Sequence, residues 1–349
     1  MAISANTYSQ TQWKFALIAE TDPGTANTTD MQLINIKERP AIARGAYRDQ
    51  SVKSSDGRTA KKGDAITQEE AQEKTIPFTA LVGKSELDIL LENVTGNTIS
   101  DGASGDGAFE IASNYTGGEN GEIAIGTDTF SDKTGTLTAA LISPETDASE
   151  ILPGCVIREL TISGDTGTDG GLIEVSGTLV SWHKISDGQS APTGLVDYTS
   201  GASVYDMYDL KSASSVTQIG GSDVVLAGFE ITINNNVQAY GFDTDGNPEV
   251  IVRAVPEIIT TGSFNIKYDA NTKSLIEKVN EQTSDIAVSI YNGTDLQTAD
   301  FGFSADYGWF SDDFDIGAVK DGDYIDVPFK FLGNDSDTMF AFTTLDNSA

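Results

Sequence analysis

Thr75-Ile-Pro-Phe-Thr-Ala-Leu-Val82 is followed, after two residues, by Ser85-Glu-Leu-Asp-Ile-Leu-Leu-Glu-Asn-Val94. The first stretch reads as a strand and the second as a helix. The same order returns in the second half. There Gly262-Ser-Phe-Asn-Ile-Lys-Tyr-Asp269 is the strand and Thr272-Lys-Ser-Leu-Ile-Glu-Lys-Val-Asn-Glu-Gln282 the helix. Each half then closes on a strand of similar pattern, Ile173-Glu-Val-Ser-Gly-Thr-Leu-Val180 and Ile325-Asp-Val-Pro-Phe-Lys-Phe-Leu332. Recurrence of one supersecondary unit points to a duplicated small β domain. A duplicated chain can build a ring from half as many subunits as domains. In the first helix Ser85 is the expected N-cap, Leu87, Ile89, Leu90 and Leu91 form the buried stripe, and Gly96 ends it.

Outward from these units the chain is strand-rich. Trp13, Phe15 and Leu17 alternate on one face of a strand over 12–19, and 31–36 is a second strand. Strands are also expected over 122–125, 136–142, 156–163 and 172–182. In the second half they fall at 229–234, 249–255, 286–291, 301–303 and 339–345. Residues 97–121 read as an exposed loop rich in Gly, Asp, Ser and Asn, and 164–171 as a turn. The fold class is mainly β: two β-sandwich or open-barrel domains, each with one short helix covering a face or edge. The expected division is a first domain over 1–184, a linker over 185–224 and a second domain over 225–349. A chain of 349 residues is long enough for two such cores.

The net charge of −32 argues against gripping nucleic acid through its phosphates, which takes Lys and Arg. It argues equally against an anionic membrane surface. The charge is unevenly spread: residues 1–100 hold 11 Lys and Arg against 13 Asp and Glu, whereas the other 249 hold 10 against 40. Lys37, Arg39, Arg44, Arg48, Lys53, Arg58, Lys61 and Lys62 cluster within 26 residues. They lie in a polar stretch with few apolar anchors, an arm over about 37–74. A basic arm on an acidic body suits docking of one subunit on the next, although an ordinary solvated loop would look the same. No apolar run approaches the ~20 residues that span a bilayer. The first residues carry no secretory signal pattern, so synthesis in the cytoplasm is expected.

Chemistry is hard to find. Cys155 is the single cysteine and His183 the single histidine. They allow no disulfide framework and no multi-histidine metal site, and a Cys–His pair would need a third orienting group. Asp243-Thr-Asp-Gly-Asn247 begins like a calcium loop, but Gly falls at position four and Ala254 stands where the twelfth-position Glu belongs. Acidic stretches over 311–315, 321–323 and 335–337 read as turns. The Gly-rich 164–171 has no Lys and two Asp, which would repel a phosphate. No cofactor or metal is expected, and an enzyme is the poorest class of explanation.

Three stretches resemble one family. They are the strand at Trp13-Lys-Phe-Ala-Leu-Ile leading into the arm, and the hairpin from Gly154 through Gly171 to Val180. The third is Gly228-Phe-Glu-Ile-Thr-Ile-Asn-Asn-Asn with Ile258-Ile-Thr-Thr-Gly-Ser-Phe-Asn-Ile-Lys-Tyr. In order and pattern the chain resembles a major tail tube protein of a long-tailed bacteriophage, of the kind with two fused tube domains. The resemblance implies sheets that join between subunits into one large inner β-barrel. It also implies rings of six tube domains stacked into a hollow virion tail that conducts DNA. With two domains per chain, three chains would complete a ring; six would do so if only one half is a tube domain. The partners implied are the chain itself and other tail proteins (tape measure, tail terminator, distal tail), with DNA passing unbound. An acidic lining would repel phosphates within about one Debye length, ~8–10 Å, and leave no cation to trap them. By alternation, Glu159, Glu174, Glu230 and Asp326 are the candidate lining acids. The arm cations would meet the acidic rim of the adjacent ring. The competing reading is a secreted or cell-surface adhesin-like β repeat protein, which acidic, Thr- and Gly-rich composition also fits.

Overall fold

The structure, a computed structural model, describes residues 12–44, 50–51, 65–66, 72–95, 100–101, 107–112, 122–123, 136–167, 171–196, 207–210, 215–235, 237–242, 248–253, 259–273, 286–292, 301–310, 322–331 and 338–344. The first half runs β1 (Lys14–Ala19), β2 (Gln32–Ile36), β3 (Gln50–Ser51), β4 (Ala65–Ile66), β5 (Lys74–Leu81), α1 (Lys84–Thr95), β6 (Ser100–Asp101), β7 (Gly107–Ala112), β8 (Glu122–Ile123), β9 (Leu137–Ile142), β10 (Ser149–Asp165), β11 (Ile173–Ser181) and β12 (Ser186–Gln189). The second runs β13 (Ser215–Ile219), β14 (Ser222–Asp223), β15 (Leu226–Asn234), β16 (Val237–Phe242), β17 (Pro248–Arg253), β18 (Ile259–Lys267), β19 (Ile286–Asn292), β20 (Phe301–Phe310), β21 (Tyr324–Phe331) and β22 (Thr338–Thr344). The expected mainly β class is what the chain adopts.

Pairing closes two circuits. In the first, β1 pairs β2, β2 pairs β5, β5 pairs β11, β11 pairs β10, β10 pairs β9, and β9 returns to β1. In the second, β13 pairs β14, whose chain continues as β15. Then β15 pairs β18, β18 pairs β21, β21 pairs β20, β20 pairs β19, and β19 returns to β13. The order of strands along the chain is the same in both. Each circuit also ends alike: β12 pairs the start of β10, as β22 pairs the start of β20. In each, a helix follows the third strand, α1 after β5 and a helical turn over 270–273 after β18. The remainder of the second expected helix, 274–282, lies outside the described residues.

The two circuits are joined by one long antiparallel pair, β10 with β15, from Glu159↔Asn234 to Asp165↔Gly228. The sheet therefore runs without a break through β5, β11, β10, β15, β18 and β21. A bulge at Ile157–Glu159 bends β10 where the halves meet. Its backbone is held from both sides. Asn93 of α1 accepts the Ile157 N–H at 2.7 Å, and the Arg158 carbonyl accepts the Asn235 N–H at 2.8 Å.

Behind this sheet lies a shared core. Leu160, Ile162, Val175, Ile231, Ile233, Phe264, Val327 and Phe329 alternate inward, as period two requires. Phe264 meets Phe329 edge-on at 5.2 Å, and Phe303 meets Phe331 at 5.2 Å. Burying each such ring contributes about 1.5–3 kcal/mol. β1 and β9 are buried on both faces. Ala16, Met31, Leu33, Ala140, Ile142 and Ile151 form a second, smaller cluster on the far side, against Leu195.

Some local expectations are corrected. α1 starts at Lys84, one residue before the expected cap. The Gly83 carbonyl accepts the Leu87 N–H at 3.1 Å, and Glu86 reaches back to accept the Gly83 N–H at 3.2 Å. Gly83 is thus the N-cap, because a Glu three residues on completes half of a capping box that Ser85 could not. Residues 97–121 are not simply a loop. They contain β6 and β7, and β7 pairs β22 with Phe109 opposite Phe342. β12, β13 and β14 lie within 185–224. There too Tyr208 is buried, its N–H bonded to the Val82 carbonyl and its carbonyl to the Ile173 N–H.

Cys155 is wholly buried at the start of the β10–β11 pairing, and burial pushes its thiol pKa well up. Iodoacetamide at pH 8 is expected to leave it unlabelled in the native protein. Labelling should be at least about 100-fold faster in denaturant, since the thiolate is the nucleophile. Comparable rates in the two conditions would contradict the burial.

Candidate functional site

The outward face of the continuous sheet is polar over its middle, and apolar residues share its parity at the margins: Leu81 opposite Glu174, Pro328 opposite Ser263, and Val180, which packs with Val156, Trp182 and Val237. Its geometry follows from strand parity: wherever one residue points into the core, its neighbours point out. One cross-strand row runs Glu174, Ser163, Glu230, Ser263, and the row one step along holds Asp165, Gly228, Asn265 and Asp326. On the other side lies a hydroxyl row, Thr79, Ser176, Thr161, Thr232 and Thr261, in which Thr161 and Thr232 are hydrogen-bonded at 2.9 Å. Beyond it Glu159 stands opposite Thr178 and Asn234.

Glu159, Glu174, Glu230 and Asp326 therefore share one face of one sheet, although they come from four strands in both halves of the chain. Glu159, Glu230 and Asp326 are exposed and Glu174 is half-buried. Three of them, with Ser163, Asp165 and Ser263, line an open groove of ≈ 490 Å³. The sequence reading missed Asp165 and the Ser and Thr ladder. Both are legible in hindsight as the polar half of the same alternation.

The face carries cations, contrary to the expectation of a lining without them. Lys330 lies opposite Thr261, and Lys267 opposite Tyr324, on the outward parity. Lys37 forms an ion pair with Glu174. Hydroxyls, amides and carboxylates still dominate, so a polyanion laid on it meets mostly neutral or like-charged groups. Among the described residues no group of His, Cys, Asp and Glu is arranged to hold a metal ion. The acidic stretches 243–247, 311–315 and 335–337 lie outside the described residues.

Of the eight arm cations, the structure describes three, and each contacts its own chain. Besides the Lys37 pair, the Arg39 guanidinium lies 3.6 Å over the Trp13 ring. Arg44 donates to both Asp187 carboxylate oxygens, at 2.6 and 2.8 Å, and to Glu150 at 2.7 Å. The Arg44 bond holds the Asp187 pKa below the usual carboxylate value. Its contribution is present above the unfolded Asp pKa and fades as pH falls through the lowered one. For so exposed a pair this amounts to under about 1 kcal/mol. Arg48, Lys53, Arg58, Lys61 and Lys62 lie outside the described residues.

The histidine has a structural setting. Glu20 is fully buried, and its carboxylate accepts four hydrogen bonds: Gly24 N–H at 2.6 Å, and Thr136 Oγ, Thr138 Oγ and Gly154 N–H at 2.8 Å each. Gly24 and Gly154, both at positive φ, clasp the His183 ring so closely that a Cβ on either would overlap it. Cys155 adjoins this knot, but its Sγ donates to the Leu152 carbonyl at 3.3 Å. This is a buried fastening of the β1–β2 connection to β9 and β10.

A family profile described as phage tail tube protein matches residues 13–333. The chain belongs to the phage tail tube protein family. No curated protein sequence matches it. A tail tube protein is a structural protein of the bacteriophage virion, and the match runs through both strand circuits and the β10–β15 pair that joins them. In this tail tube protein no described helix is long and apolar enough to cross a membrane.

Proposed function

We propose that this tail tube protein polymerises into stacked rings that form the hollow tail tube, and that DNA travels through it from capsid to host cell. The face bearing Glu159, Glu174, Glu230 and Asp326 is turned to the bore. One observation carries this reading: four acids from both halves lie on one outward face of one continuous sheet, with the main core behind it. Such a face repels phosphates at short range and offers many weak hydroxyl contacts in place of a few strong ionic ones. The chain acts as a building block rather than as an enzyme. The composition also fits an adhesin-like β repeat protein; family membership favours the tail.

Two circuits of one topology on one chain support the ring count. Each circuit is one tube domain, so three chains complete a pseudo-sixfold ring. The tape measure, tail terminator and distal tail proteins are its neighbours in the virion. The arm cations beyond Arg44 are the ones free, in this reading, to reach the acidic rim of the next ring. Reversing Arg48, Lys61 and Lys62 to Glu should give folded protomers that do not stack. Reversing Arg44 should mainly loosen its own β10–β12 corner. Tubes of normal length from the triple variant would remove the arm from the account.

Electron microscopy of concentrated purified protein tests the whole reading. Hollow cylinders are expected, with three chains per ring in averaged sections. Protein that stays monomeric under all salt conditions, or that binds duplex DNA tightly in moderate salt, would overturn it.

A further inference from the structure

We infer that residues 96–136, an insertion of the first half, act with 207–210 as a clasp that fixes the angle between the two circuits of one chain before any assembly. The chain is then one preset piece, not two units on a hinge. What the clasp does for ring building rests on the ring reading; the fixed angle itself does not.

The two circuits share their strand order, so the insertion stands out. Between the third and fourth strands of the first circuit the chain runs over 96–136 and adds β6, β7 and β8. The matching stretch of the second circuit, between the turn at 270–273 and β19, is 274–285, too short for three strands and their connections. Among the described residues, none of the added strands pairs with a strand of the first circuit. β7 lies on β22, from Thr338↔Ala112 to Thr344↔Gly107, and β6 extends it. β8 lies on β17, with Ile123 opposite Ile251. The first half thus completes two sheets of the second. α1, which is anchored in the shared core by Leu87, Leu90, Leu91 and Val94, also touches β7 and β22.

The β10–β15 pair joins the circuits within the continuous sheet. On its own, a single antiparallel pair leaves its two sides free to roll about the long axis of the pair, and relative motion is the default between domains with a small interface. The β7–β22 pair is a second tie, off that axis. Phe342 of β22 is wholly buried against Phe301 and Phe303 of β20, and Phe301 stacks across the core on Phe229 of β15 at 6.1 Å. Between the two ties sits a wedge. In the first half, the Tyr208 N–H bonds the Val82 carbonyl at 3.1 Å. The Ile173 N–H bonds the Tyr208 carbonyl and the Leu210 N–H the Gly171 carbonyl, each at 2.8 Å. In the second, the Asn292 amide donates to the Asp209 carbonyl at 3.0 Å, and the buried Tyr208 ring meets Phe301 at 5.9 Å. Leu210, Phe229 and Ile173 crowd over Gly164, where a Cβ would press on all three. Ties in two layers with a filled space between them leave no axis of roll. A preset angle removes an ordering cost from the step at which chains join.

Pulsed electron paramagnetic resonance on full-length protomers tests this. Spin labels go on Thr146→Cys in the first circuit and Ala287→Cys in the second; both positions are exposed, and Cys155 is buried. The otherwise wild-type chain should give one narrow distance distribution. Proline at both Glu110 and Ile111 strips at least one bond from the β7–β22 ladder, whose hydrogen-bonded pairs alternate along the strand. That variant should keep near wild-type circular dichroism and broaden the distribution at least about two-fold. Tyr208→Ala empties the wedge without altering a strand and should broaden it as well. A broad distribution in the wild-type background overturns the fixed angle. A distribution that stays narrow in both variants means that β10–β15 alone sets the angle, and the clasp falls. Either failure is read on protomers and leaves the ring reading standing. Absence of hollow cylinders removes the ring reading and leaves the measured angle.

Discussion

Gly154→Ala is expected to unfold the first circuit more readily than any conservative surface change. The loss should be on the order of 3 kcal/mol, a fall in Tm of roughly 5–10 °C. Two effects add. Gly154 has φ +65°, a left-handed conformation that costs a residue with a Cβ about 1–2 kcal/mol. The new methyl would also overlap His183 Cδ2 and Nε2, and overpacking of a tight core costs typically 1–3 kcal/mol. The ring cannot easily retreat, because Gly24 clasps its other side and Glu20 ties the N–H groups of both glycines to Thr136 and Thr138. The two terms are separable. His183→Ala removes the steric term and leaves the backbone term. The double variant Gly154→Ala, His183→Ala should therefore lose about 1–2 kcal/mol less than the sum of the singles, measured by chemical denaturation. Strict additivity would mean that His183 is not what Gly154 makes room for.

Much of the fold was legible because its signals are local. The alternation in Lys74–Leu81 and Tyr324–Phe331 marks strands with one buried face, and it is the same alternation that set Glu174 and Asp326 on the outward side. The repeated strand, helix and closing strand correspond to β5, α1, β11 and to β18, the turn at 270–273, β21. What escaped was non-local. β12 is Ser-Asp-Gly-Gln, four exposed polar residues with no strand pattern, and it is a strand only because β10 offers an edge. β7 is hidden in a Gly- and Asp-rich stretch and is fixed by β22, more than 200 residues away in sequence.

The polar face shows the same limit. Parity could place Glu159, Glu174, Glu230 and Asp326 each on an outward side, but nothing in the sequence says that β10 and β15 pair. Without that pair the four acids would belong to two separate sheets. Lys37 illustrates the converse. In sequence it belongs to the basic arm, whereas in space it neutralises Glu174 at the margin of the acidic face. Charge counted along a chain does not predict charge counted across a sheet.

That distinction sets the strongest functional expectation. Replacing Glu159 and Glu230 by Lys adds two cations and removes two anions on the exposed face, at positions whose directly opposite cross-strand partners are Thr, Ser and Asn; Glu230 shares its groove with Glu174, Asp165 and Asp326, so Glu159→Lys is the position less offset by acids. Neither side chain supports the core, so tubes should still form. With three chains in a ring, each ring would then present about six inserted cations to a duplex, repeated along the tube. A ligand making 6–10 phosphate contacts loses about 10³–10⁵ in affinity between 50 and 200 mM salt, so retention should be strong at low salt and collapse steeply as salt rises. The readout is duplex DNA that co-sediments with tubes and resists nuclease, which separates DNA inside the bore from DNA on the outer wall. Wild-type tubes should protect almost none. Nuclease-sensitive binding by the variant would place this face on the outside of the tube. Unchanged behaviour in an assembled variant would mean that the bore is lined by something else.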